Sequence, residues 1–274
     1  MTDYSPVMIA VAPNGARKTK QDHSSLPITA RELANTAAAC LHAGACMIHL
    51  HVRDASQGHS LDSSRYKDAI KTIRDRVGAD LIIQITTEAV SIYGPEQQMQ
   101  VVREVRPEAV SLAIKELCPP GGDEKIVANF FAWLSKESIA PQYILYSVEE
   151  IRRFYDLKTR GIIPAEHNTI LLVLGRYTEN QQSEVNDLPP LLAAVNSESC
   201  WWLCAFGATE SDCMRTAMGL GGHCRIGFEN NLLLPDGNPA SANEAMVALC
   251  ADNCRQLGRR PASPAEARER MAMK

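Results

Sequence analysis

An eightfold alternation of short apolar runs with amphipathic stretches constrains this chain more than any other feature. Residues 7–12 are apolar throughout and stop at Pro13-Asn14-Gly15. A run apolar on both faces suits a strand buried in a parallel sheet. After a polar loop, Thr29-Ala30-Arg31-Glu32 has the form of a capping box that opens a helix, and Gly44 suits its end. A second strand is expected over 46–52. The cycle then repeats, with helices over 64–76, 95–105, 124–136, 148–160, 188–195, 211–218 and 242–256. Strands alternate with them over 81–86, 109–114, 142–146, 169–174, 201–206 and 223–228. A polar tail containing Pro261 and Pro264 follows.

Eight strands and eight helices in strict alternation are the pattern of a (β/α)8 TIM barrel, whose usual size is about 250 residues. A doubly wound open sheet is the rival, but no Gly-rich dinucleotide turn follows the first strand. The chain has 274 residues and no Ser/Gly/Pro linker, so residues 1–274 are expected to form one domain with a short C-terminal tail. The net charge of −4 argues against a broad basic face for nucleic acid. No apolar run approaches the ~18 residues of a membrane span, and the N-terminus does not read as a signal peptide. A cytoplasmic location is expected. The nine cysteines are scattered without a CxxC pair, which fits buried thiols better than a redox or zinc-ribbon motif.

Barrel chemistry gathers at the C-terminal strand ends. The second strand ends His49-Leu50-His51-Val52-Arg53-Asp54. Side chains alternate along a strand, so His49 and His51 share a face opposite Ile48, Leu50 and Val52. Two imidazoles at i, i+2 can hold one divalent metal, and three protein ligands with an open position make a catalytic zinc site. One structural and one exposed histidine would give the same pattern. In a closed barrel the eighth and second strands both flank the first, so Glu229 could meet the two histidines; otherwise it is a solvated loop carboxylate. Arg225, on a core strand, requires an anionic partner or ligand. Thr86, in Gln84-Ile85-Thr86-Thr87-Glu88, could hydrogen-bond a carboxylate or an enolate, or simply favour the strand. Asn14, Arg17, Lys18 and Lys20 form a polar, cationic loop beside the expected mouth.

Several segments resemble the β-keto acid cleavage enzyme family: Gly15-Ala16, LPITARELA, HAGACMIHLHVRDASQGHS, GLGGHCRIGFENN and GNPASANEAMVALC. The resemblance runs from about Val7 to the C-terminal segment. It implies a zinc-bearing barrel, assembled as a homotetramer, that condenses a β-keto acid with acetyl-CoA to give acetoacetate and a new CoA ester. It implies His49, His51 and Glu229 as metal ligands, Arg225 and Thr86 as catalytic residues, and Arg17 at a position that faces the substrate; Asn14, in the same first loop, is expected on the substrate side with it. The chain departs from the family at three places. The family's general base, an aspartate after the metal glutamate, is Asn230 here. A first-loop glutamate is Arg17. A carboxylate near the fifth strand has no equivalent in YILYS. An amide cannot accept a proton as a carboxylate does, so Glu88 or a zinc-bound hydroxide would take that role, and an aspartate restored at 230 would be expected to keep or raise activity. A zinc-dependent hydrolase on the same scaffold and a catalytically degenerate metal-binding barrel are the alternative readings.

Overall fold

Strands buried on both faces need partners on both sides, and closure into a ring supplies them without leaving an edge. The computed structural model describes residues 6–273 and is such a ring. Its strands are β1 (Ile9–Val11), β2 (Met47–Leu50), β3 (Ile82–Thr86), β4 (Ala109–Ala113), β5 (Ala140–Leu145), β6 (Thr169–Leu174), β7 (Cys200–Ala205) and β8 (His223–Ile226). They form a closed barrel in chain order, every pair parallel. β1 lies between β8 and β2, as expected: Ala10 is in register with Arg225 on one side and Met47 on the other.

The two strand faces separate into two cores. Ile48, Leu50, Ile83 and Ile85 point outward and pack with the helices. Met47, Ile82, Ala109, Leu171 and Trp202 fill the lower interior. The Thr29–Glu32 capping box is present at the start of the helix Ala30–Ala43, and Gly44 closes that helix at φ 115°. The expected helix after β6 is short, Leu188–Leu192, preceded by two 3-10 turns. Val52–Arg53 leaves the barrel to pair antiparallel with His59–Ser60, so β2 is shorter than the apolar run implied.

The expected polar tail needs correction. Residues Pro264–Arg270 form a helix with a capping box of their own, Ser263 and Glu266. The preceding chain pairs with the barrel floor, where Val7 N–H donates to Arg260 O and Ala262 N–H to Val7 O. Ala262, Ala267 and Met271 pack into the interior cluster. The segment is thus part of the barrel. Of the nine cysteines, all free, eight are buried and Cys200 is half-buried, as expected of small core hydrophobes.

Candidate metal centre and the barrel mouth

β2 delivers His49 and His51 to the inner face at the barrel mouth, both fully buried. Their rings meet edge to face, 5.0 Å between centroids. The two Nε2 atoms are 3.2 Å apart. Glu229, from the turn after β8, brings Oε2 to 3.7 Å from His49 Nε2 and 3.5 Å from His51 Nε2. Three ligands of a tetrahedral ion at about 2.0–2.1 Å stand roughly 3.3 Å from one another, so the three donor atoms have the spacing of a metal site. They form a His/His/Glu cluster with all ligand atoms within 4.8 Å. Glu229 Oε2 is buried and has no hydrogen-bond partner. A buried, unpartnered carboxylate oxygen is costly unless a cation meets it, so the residues fit a divalent ion.

The surroundings prepare this geometry. Gln84 Oε1 accepts from His49 Nδ1 at 2.7 Å, which leaves the Nε2 lone pair facing the cluster. Gln84 in turn donates to Gln142 Oε1 at 3.2 Å. Arg225 finds the anionic partner that its burial requires: Nη2 lies 3.3 Å from Glu229 Oε1. Burial alone would raise the Glu229 carboxyl, but Arg225 and the two histidines outweigh it and hold it well below the usual carboxylate range. Burial, with Arg225 beside it, pushes His49 well down, so its imidazole is neutral, the form that binds metal. Gly15, at φ +60°, lies under the Glu229 side chain; a Cβ there would fall 2.6 Å from Glu229 Cγ.

The family model for β-keto acid cleavage enzymes matches residues 6–273. The chain belongs to the β-keto acid cleavage enzyme family. The 3-keto-5-aminohexanoate cleavage enzyme of Acetoanaerobium sticklandii is 30% identical over 271 residues, covering 96% of this chain and 97% of its own. The 3-oxoadipate:acetyl-CoA acetyltransferase of Cupriavidus necator is 27% identical over 268 residues, covering 96% and 93%. ObcA in binary complex with oxaloacetate superposes with a TM-score of 0.73 over 91% of this chain and 67% of that chain, at 16% identity, which is a likeness of fold.

The other positions singled out by the family resemblance have separate settings. Asn14 donates through Nδ2 to Pro27 O and His51 O, and its Oδ1 is buried without a partner. Thr86 Oγ1 accepts the Glu88 N–H at 3.0 Å. Glu88 Oε1 is shared by Arg17 at 2.8 Å and Arg176 at 3.0 Å. Burial raises the Glu88 carboxyl in spite of His51 and Arg17. Asn14, Arg17, Glu88, Arg176, Phe206 and Glu229 border one cleft. Lys18 Nζ also reaches the site and donates to Glu229 O at 2.7 Å, whereas Lys20 turns away to Glu32. Asn230 is buried beside Cys204 and Glu210 and is not a wall of that cleft.

Four contributors escaped the sequence reading. Gln84 had a signal: it is a polar residue in an otherwise apolar run, two before Thr86 and on the same face. Arg53 had one too, as a charge directly after the buried strand. It is 4% exposed and donates to the carbonyls of Asn14, Gly15, Lys18 and Gln57, tying the first loop over the mouth. Arg176 reaches the site from the loop after β6 and Glu210 from the first turn of the helix Glu210–Gly219 after β7, and nothing local marked them.

Proposed function

We infer that this protein is a metal-dependent acyltransferase that condenses a β-keto acid with acetyl-CoA, giving acetoacetate and a new CoA ester. The observation that carries this reading is the His49/His51/Glu229 cluster, with its unpartnered carboxylate oxygen, in a chain of this family. Two imidazole nitrogens and one carboxylate with room for further ligands suit zinc. When bound, the metal supplies Lewis acidity toward the 1,3-dicarbonyl of the keto acid. Arg225 keeps Glu229 ionised and offers positive charge near developing negative charge. Thr86, whose oxygen already accepts from Glu88 N–H, has its own O–H to donate to the substrate. Glu88 is the carboxylate at the cleft wall that takes the substrate proton, at Oε2, the oxygen not shared by the two guanidiniums.

The same cleft bears on the choice of substrate. Arg17 and Arg176 line it with Lys18, and guanidinium pairs bidentately with carboxylate and repels ammonium. A keto acid with an anionic or strongly hydrogen-bonding tail follows. The relative named for 3-oxoadipate supports that direction. A single domain, a homotetramer and a cytoplasmic location belong to this reading as well, and light scattering tests the tetramer. Among the described residues no helix is long and apolar enough to cross a membrane.

The test is metal content of the purified protein, followed by incubation of acetyl-CoA with a set of β-keto acids and mass spectrometry for acetoacetate and the new CoA ester. Stoichiometric zinc with both products supports the reading. Bound zinc with hydrolysis of an amide or ester, and no acetoacetate, would make it a hydrolase; bound zinc with no turnover would make it a degenerate barrel.

A further inference from the structure

One carboxylate beside the site is left without a role in that scheme. Glu210 opens the helix Glu210–Gly219 after β7 and is 3% exposed. Three N–H groups converge on it. The Gly227 backbone donates to Oε1 at 3.3 Å and Asn230 Nδ2 to the same oxygen at 3.2 Å, while Asn231 Nδ2 donates to Oε2 at 3.4 Å. These donors are neutral, and no ion pair to Glu210 is present among the described residues, so burial raises its carboxyl to about 8. An acid buried this way is costly, and a leucine would fill the volume without the cost.

The Asn230 amide is held in one orientation as a result. Its Nδ2 donates to Glu210 and to the Arg225 carbonyl at 3.1 Å. That leaves Oδ1 to accept from Cys204 Sγ at 3.3 Å. The Cys204 sulfur accepts from Arg225 Nη2 at 3.4 Å, and the same nitrogen reaches Glu229 Oε1 at 3.3 Å. An unbroken chain of polar contacts therefore runs from the Glu210 carboxyl through Asn230, Cys204 and Arg225 to a candidate metal ligand. A glutamine at 210 would turn an NH2 toward one of the three donors and break it.

We propose that Glu210 and Asn230 act as one carboxyl–amide unit, in which Glu210 is a positioning residue that fixes the Asn230 amide and, through Cys204, the guanidinium of Arg225 against Glu229. This rests on the reading of the site given above, and it predicts that the unit works with its two groups exchanged. Glu210→Gln alone leaves two amides in contact. Asn230→Asp alone sets two carboxyls against each other, which forces them to share a proton; a loss is therefore expected where the family resemblance led to an aspartate at 230 keeping or raising activity. The double variant restores one carboxyl and one amide in hydrogen-bond contact.

The experiment is a double-mutant cycle on the zinc-loaded full chain, read by kcat, KM for the keto acid, melting temperature and zinc affinity. Each single variant is expected to lose about 10- to 100-fold in kcat with KM much less affected, and the Glu210→Gln/Asn230→Asp protein is expected to recover most of that loss. A double variant no better than the worse single overturns the proposal, because two independent structural residues would give additive losses. A wild-type protein inactive on every keto acid would count against the acyltransferase reading alone. The cycle in melting temperature and zinc affinity then decides: recovery in the double variant supports the unit, and additive loss ends it.

Discussion

His49 Nδ1 donates to Gln84 Oε1 across 2.7 Å, between adjacent strands in direct register. That contact selects the His49 tautomer and turns its Nε2 toward His51 and Glu229. Gln84→Leu keeps the volume and removes the acceptor. Metal affinity is expected to fall about 10- to 100-fold, measured by competition with a chromogenic chelator. The His49→Ala/His51→Ala protein should lose metal almost entirely; full occupancy in it would refute the assignment.

Gly15 makes a second claim on the same site. A Cβ at this position meets Glu229 Cγ at 2.6 Å, on a backbone at φ +60°. Gly15→Ala is expected to displace Glu229 and weaken metal binding, while the melting temperature of the metal-free protein falls only by the cost of the strained residue. Unchanged metal affinity in Gly15→Ala would show that Glu229 is not a ligand.

In the proposed reaction the Glu88 carboxylate takes the substrate proton, and general-base catalysis is worth about 10²–10⁴-fold. Glu88→Gln should lower kcat by that order with metal retained. A rate within about a factor of two of wild type would make Glu88 a partner for Arg17 and Arg176 and nothing more.

Arg17 is the cleft cation open to solvent. Arg17→Glu is expected to lower kcat/KM for a dicarboxylic keto acid and to improve it for an amino-substituted one. Equal loss on both would assign Arg17 to CoA or to the architecture of the loop through its Glu88 pair.

His223 reports on the barrel floor. Its Nδ1 accepts the Met8 N–H at 3.2 Å, and burial, helped by Arg270 and Arg259, lowers it from the usual 6.5 to about 3. The folded protein binds fewer protons here than the unfolded chain between those values. Stability from this group is therefore full above about pH 6.5 and is lost as pH falls toward 3. His223→Asn, which keeps an acceptor but cannot be charged, should flatten the fall in melting temperature over that window. An unaltered profile would place the acid sensitivity elsewhere, for instance at His167, also lowered by burial, to about 4.

Much of the scaffold was readable because buried parallel strands write themselves as unbroken apolar runs. The helices Pro95–Val105 and Glu124–Lys136 and the strand Thr169–Leu174 fall where the pattern placed them. His49, His51 and Glu229 were legible for a related reason: strand alternation and ring closure together bring β2 and β8 to either side of β1. The Glu210–Asn230 contact was not, since a glutamate at a helix start reads as solvated and only the fold buries it. The floor helix was missed although Ser263 and Glu266 form a capping box, because charge-rich sequence around it masked the buried Ala267 and Met271.

That floor has a bearing on how the protein comes to be made. Ala262, Ala267 and Met271 complete the interior cluster under β1 and β7. A nascent chain paused at residue 260 has all eight strands yet lacks the plug beneath them. Domains fold as units while synthesis proceeds at about 5–20 residues per second. Here the ring can pair early, but its lower interior cannot close until residues 261–271 have emerged, so a stop codon at 261, which removes fourteen residues of the sequence, takes away part of the barrel's core.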